Sequence, residues 1–149
     1  MWHARNLCIK TICILYRSPE NKIYFASNGA FEYVLDLIEA KPSDLQEATM
    51  VAILSLISHP QAPYIFLDMN GVERVVILLE SENEVVRELT VVLLKALALY
   101  DAKRVKEAVP IDLAHLLESD DIPMRYGGEY VRLRLFINLY NIYIYIYIL

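Results

Sequence analysis

The chain predicts an all-α fold, an α-solenoid built from stacked helical units, and three observations point that way. The first is a repeat: Asn28-Gly29 returns as Asn70-Gly71, 42 positions on (28 to 70). Each pair opens a similar apolar stretch, NGAFEYVLDLIEA in one copy and NGVERVVILLES in the other. A period of roughly 40 residues marks supersecondary units that cover one another's apolar flanks. The second is helical spacing inside each copy, where Phe31, Val34, Leu35 and Ile38 are matched by Val72, Val75, Val76 and Leu79. Both sets follow i, i+3, i+4, i+7, one apolar stripe along an α-helix. The third is composition: 149 residues at 56% hydrophobic and 22% charged are too apolar for disorder, and four glycines leave few turns for a sandwich or barrel.

Residues 1–16 carry Leu7, Ile9, Ile12 and Leu15 and read as the third helix of an incomplete first repeat. A preceding unit would normally cover that face, so flanking repeats, self-association or a partner are expected to supply the cover. Short first helices are expected over 21–27 and 63–69, and at the spacing of 42 Ile23, Tyr24 and Phe25 face Ile65, Phe66 and Leu67. Gly29 and Gly71 then take the structural corner before the second helix, where positive φ is expected and glycine reaches it without steric cost.

Downstream the spacing shortens to 41, so that Leu37-Ile38-Glu39 meets Leu78-Leu79-Glu80 and Gln46-Glu47 meets Arg87-Glu88. Long third helices are expected over 45–58 and 85–100. Ser43 with Gln46, and Ser81 with Glu84, form capping-box patterns in which the Ser oxygen accepts a backbone N–H and the longer side chain bonds back. In that frame the two helices begin up to one turn apart. A third copy shows in His115-Leu116-Leu117-Glu118-Ser119, 38 residues after Ile77-Leu78-Leu79-Glu80-Ser81 (77 to 115). Its corner holds Val109-Pro110 in place of glycine, with Pro110 expected as the first residue of a helix, where a missing N–H costs nothing.

From Tyr130 the chain reads VRLRLFINLYN and then alternates Ile with Tyr through residues 142–148. That alternation favours an extended strand, whereas the repeat demands a helix. Two segments result: a repeat array over 1–141, made of an incomplete first repeat, two full repeats and a distorted last one, and an Ile/Tyr low-complexity tail over 142–149. The tail is an aggregation hazard if exposed. The apolar run from Leu135 spans 15 residues and includes Asn138 and Asn141, short of the roughly 20 that cross a bilayer, so a membrane role is not expected.

A three-helix unit with a Gly corner, an L-x-x-L-L-like second helix and a long apolar third helix resembles the armadillo repeat family. HEAT repeats have a similar period with two helices, and the short first helix and Gly corner, each present twice, favour armadillo over that alternative. The resemblance implies a groove lined by third helices that binds extended peptides, with an Asn once per unit bonding the ligand backbone and a Trp four residues earlier. Carried over by position, Cys13, Ser55, Ala96 and Asn138 occupy the Asn site at spacings of 42, 41 and 42 (13 to 55, 55 to 96, 96 to 138). Ile9, Val51, Val92 and Arg134 stand four residues earlier. Only Asn138 keeps the family residue and the sole Trp is Trp2, so a regular amide ladder is missing and importin-like recognition of basic peptides is not implied. Ser55, Ala96, Arg134 and Asn138 are the candidate peptide-binding positions.

Chemistry is sparse. His3, His59 and His115 form no H-x-x-x-H pair, and no nucleophile-elbow or phosphate-loop motif occurs. Gly127-Gly128 stands alone and reads as a loop, while Asp36, Glu39, Glu80 and Glu84 read as solvated helix faces. Neither a metal, a cofactor nor catalysis is expected. Cys8 and Cys13 lie five apart on an apolar helical stretch and point in different directions, as buried free thiols of a reducing compartment would. Lys10 interrupts the early apolar run, which argues against a secretion signal. The net charge of −5 speaks against nucleic acid. The expectation is a cytoplasmic or nuclear, non-catalytic scaffold that binds a partner peptide or helix through its groove. Alternatives are a structural fragment of a larger repeat protein and a regulatory subunit with no site of its own.

Overall fold

The computed structural model describes residues 18–38 and 43–118, residues 43 and 44 by backbone alone, and among them it contains helices and no strand. The order is α1 (Pro19–Ser27), α2 (Ala30–Asp36), α3 (Ser43–Ile57), α4 (Ala62–Asp68), α5 (Gly71–Val75), a 3-10 turn (Val76–Glu80), α6 (Glu84–Ala98), α7 (Ala102–Ala108) and α8 (His115–Glu118). Short, short and long helices therefore come in that order twice, and a third series begins with α7. Equivalent elements touch: α1 packs on α4, α2 on α5 and α3 on α6, while α7 lies against α5 and α6.

Each start has a local cause. Ser18 caps α1, accepting the Asn21 N–H at 3.4 Å, and Pro19 follows where its missing N–H is harmless. Asp101 caps α7 through the Arg104 N–H at 3.0 Å. The second helices end alike: Leu37 and Ile38 donate to the carbonyls of Val34 and Leu35, three residues back, and Val76–Glu80 is a full 3-10 turn. This tightening satisfies carbonyls that a helix end leaves open.

The core lies between the short helices and the long ones. Phe31 and Phe66 are both fully buried and meet edge to face with centroids 5.1 Å apart. Val34, Leu35, Ile53, Leu56, Val72, Leu89 and Leu93 belong to the same buried cluster. Thr49 and Thr90 are buried too, each donating its hydroxyl to the carbonyl four residues earlier, at 2.6 and 2.7 Å. A buried hydroxyl costs free energy unless it is bonded, and the backbone supplies that bond here.

Among the described residues the register on both sides of the corner is 41, not 42. The starts of the second and third helices (30 to 71, 43 to 84), the ends of the first and third (27 to 68, 57 to 98) and the buried threonines (49 to 90) agree on it, while α1 begins two residues early relative to α4 (19 to 62). The pairing of Tyr24 with Phe66 fails outright, since Tyr24 is 65% exposed and Phe66 is 0% exposed. Phe25 is the residue that lies 41 before Phe66, and Ala26, buried, lies 41 before buried Leu67.

The corner shifts accordingly. Gly29 adopts φ 86, as expected, but its counterpart is Asn70 at φ 55, and Gly71 is the first residue of α5 with no positive φ. Gly71 is glycine for a different reason: a Cβ there would collide with the ring of Phe66.

Two further expectations change. The Ser81 and Glu84 box does not cap α6; Asn83 does, accepting the Val85 and Val86 N–H groups at 2.9 and 3.4 Å, while Ser81 takes the Asn83 N–H. With α3 and α6 starting 41 apart (43 to 84), the offset of a turn disappears. Pro110 begins no helix: residues 111–114 form turns and α8 starts at His115. Residues 1–17, 39–42 and 119–149, hence the first partial repeat, Cys8, Cys13, Arg134, Asn138 and the Ile/Tyr tail, lie outside the described residues.

Candidate functional site

The third helices carry the candidate face. On α3 the positions Glu47, Val51 and Ser55 recur every four residues and so lie along one side, and Glu88, Val92 and Ala96 do the same on α6, 41 residues later (47 to 88, 51 to 92, 55 to 96). Glu47, Val51, Ser55, Glu88 and Ala96 are half-buried, and Val92 is buried. Since α3 packs on α6, Ser55 and Ala96 stand on neighbouring elements at equivalent places. Arg134 and Asn138, the other two candidate positions, are not among the described residues, so the face is defined by two units.

The rest of each long helix is fixed by its back. Leu45, Met50, Ile53 and Leu56 on α3 and Val86, Leu89, Leu94 and Leu97 on α6 are buried in the core, which leaves Glu47, Val51, Ser55, Glu88 and Ala96 half-buried, with Val92 covered between them. Gln46 and Arg87, again 41 apart, reach back to the end of the preceding second helix. Gln46 donates to the Ile38 carbonyl at 3.0 Å, and Arg87 donates to the Ser81 carbonyl. These two side chains fix how each long helix leaves its predecessor, and the bond that Gln46 makes among the described residues is to Ile38, not the capping-box bond to Ser43 expected of it.

Electrostatically the face is acidic at its N-terminal end. Burial, then the nearby charge of Glu84, pushes the Glu88 carboxyl up from its ordinary value, and Arg87 opposes the shift. Lys95 lies two turns further along α6. The middle is small and apolar, with Val51 and Val92 followed by Ser55 and Ala96. Such a surface offers shape, a few hydrogen-bonding groups and a negative end. Among the described residues no group of three His, Cys, Asp or Glu side chains is placed to hold a metal ion.

On another side, ion pairs link successive units. Arg74 of α5 bonds Asp36 of α2 at 2.9 Å, and Arg104 of α7 bonds Glu73 of α5 at 3.0 Å and the Asn70 side chain at 2.7 Å. Arg104 thereby holds the residue that makes the left-handed corner. Reading the sequence as solvated faces had missed this ladder. Its signal was present only as charges of opposite sign 38 and 31 residues apart (36 to 74, 73 to 104).

No family model, curated protein or solved structure matches the chain. Among the described residues no helix is long and apolar enough to cross a membrane.

Proposed function

We propose that the chain is a non-catalytic protein-interaction scaffold, an armadillo-like α-solenoid that binds a partner peptide or helix across its third helices. The observation that carries this reading is the repeated triplet of helices in a constant register of 41 (30 to 71, 43 to 84), with each element packed on its equivalent. Stacked units of this kind present equivalent faces in series. Here the series is Glu47, Val51 and Ser55 followed by Glu88, Val92 and Ala96. Peptide-recognition grooves combine an apolar floor with a few polar groups, and this face has both. A cytoplasmic or nuclear setting belongs to the same proposal.

The test is peptide display against the folded chain, followed by substitution on the face. Ser55→Arg with Ala96→Arg is expected to abolish capture of the selected peptides while leaving the thermal melt in place. Capture that survives both substitutions would sink the reading.

The exposure of two apolar side chains favours a second reading. Leu99 and Ile111 are 74% and 96% exposed, as they would be in a piece of a longer repeat protein whose further helices cover them. Sedimentation separates the two: a monomer supports a self-sufficient module, and aggregation relieved by added flanking repeats supports the fragment.

A further inference from the structure

We propose that Lys22 is a nucleophilic amine that takes an acyl group from an activated acyl donor in preference to the exposed lysines of α7. Lys22 is half-buried on α1, and its Nζ donates to Ser58 Oγ, 36 residues away, just past the end of α3. The Ser58 hydroxyl in turn donates to the Ser55 carbonyl at 2.7 Å. The ammonium is therefore held by a neutral oxygen. Nearby carboxylate is engaged elsewhere, since Glu20 accepts from the Ser18 hydroxyl, and the ion pairs among the described residues belong to Arg74, Lys103 and Arg104.

A half-buried ammonium that forms no ion pair among the described residues loses hydration without recovering it in full, so its neutral form gains ground. Burial pushes the Lys22 pKa down from its ordinary value. Lysines in such settings serve as nucleophiles because the neutral amine, not the ammonium, carries the attacking lone pair. Lys103 and Lys106 stand exposed on α7, Lys103 beside Glu107, and are hydrated references within the same molecule.

With an acyl phosphate the step balances. The neutral Nζ attacks the acyl carbon, the N–C bond forms, the C–O bond to phosphate breaks, and inorganic phosphate leaves with the electron pair. The surplus proton passes from nitrogen to water. The product is an uncharged amide whose remaining N–H can still donate to Ser58 Oγ, so the tie between α1 and α3 is kept.

The experiment treats the full chain with limiting acetyl phosphate at neutral pH and follows each lysine by peptide mass spectrometry. Lys22 is expected to react several-fold faster than Lys103 and Lys106, with its rate rising at a lower pH than theirs. In concentrated urea that advantage should vanish, because the contact with Ser58 is tertiary. Lys22→Arg should remove the fast phase and leave the others. A Lys22 rate equal to or below those of Lys103 and Lys106 in the folded chain overturns the proposal, and so does a preference that persists in urea.

Discussion

Gly71 and Gly29 occupy the same dipeptide in the sequence and are held by different forces. At Gly29 the backbone sits at φ 86 with open space where a Cβ would go. Gly29→Ala is expected to cost about 1 kcal/mol, the penalty for a side chain in the left-handed region. At Gly71 the backbone is ordinary and the space is taken by Phe66, itself pinned against Phe31. Gly71→Val is expected to cost about 1–3 kcal/mol through overpacking, measured by urea unfolding. Asn70→Gly should keep the turn, since glycine also accepts φ 55, but it deletes the side-chain bond to Arg104 and is expected to cost about 1 kcal/mol. An unchanged midpoint for Gly71→Val would remove Phe66 as the reason for that glycine. The dipeptide announced a corner in both copies. Which of its two residues turns left-handed could not be read from it, nor that Gly71 is kept small by a ring five residues earlier.

At the scale of the element, helix starts follow whichever polar side chain reaches the free N–H groups first. Ser81 and Glu84 matched a capping box, yet Asn83 stands nearer and its carboxamide takes two N–H groups of α6. Asn83→Ala is therefore expected to lower stability by about 1 kcal/mol, and Ser81→Ala by less. Equal losses in thermal melts would restore the box. Pro110 shows the opposite influence: a proline pushes the residue before it out of the helical region, and Val109 is extended at φ −78, ψ 127. The sequence registered the proline and assigned it to a helix start. The chain uses it to end α7, and four residues of turn follow before α8. Helical spacing itself was legible throughout, because i, i+3, i+4, i+7 patterns depend on near neighbours alone.

For the whole molecule, one junction between helices carries a titratable ring whose pKa the fold shifts. His59 lies between α3 and α4; burial, then the charge of Lys22, pushes its pKa down, while Glu20 pulls the other way. A histidine with a lowered folded pKa favours the neutral ring in the native state. Its contribution is intact above the unfolded value of about 6.5 and is lost as pH falls through the folded value. Glu88 has the reverse sign, since the cost of its raised pKa is relieved as pH falls through the folded value toward the ordinary carboxylate value. Urea midpoints are thus expected to drop between about pH 7 and pH 5, and His59→Gln should flatten that drop. A slope unaltered by the substitution would place the titrating group elsewhere.

The amino-acid order determined by itself that the chain is helical, where the apolar stripes run and that two copies follow one another, because these are properties of short-range spacing. Tertiary structure decided the register of 41 on both sides of the corner (26 to 67, 49 to 90) and the partners Lys22 with Ser58, Arg104 with Asn70 and Gly71 with Phe66. Those contacts join residues on different elements. Which side chains meet is settled only when neighbouring helices close to packing distance and volume and charge must be matched at once.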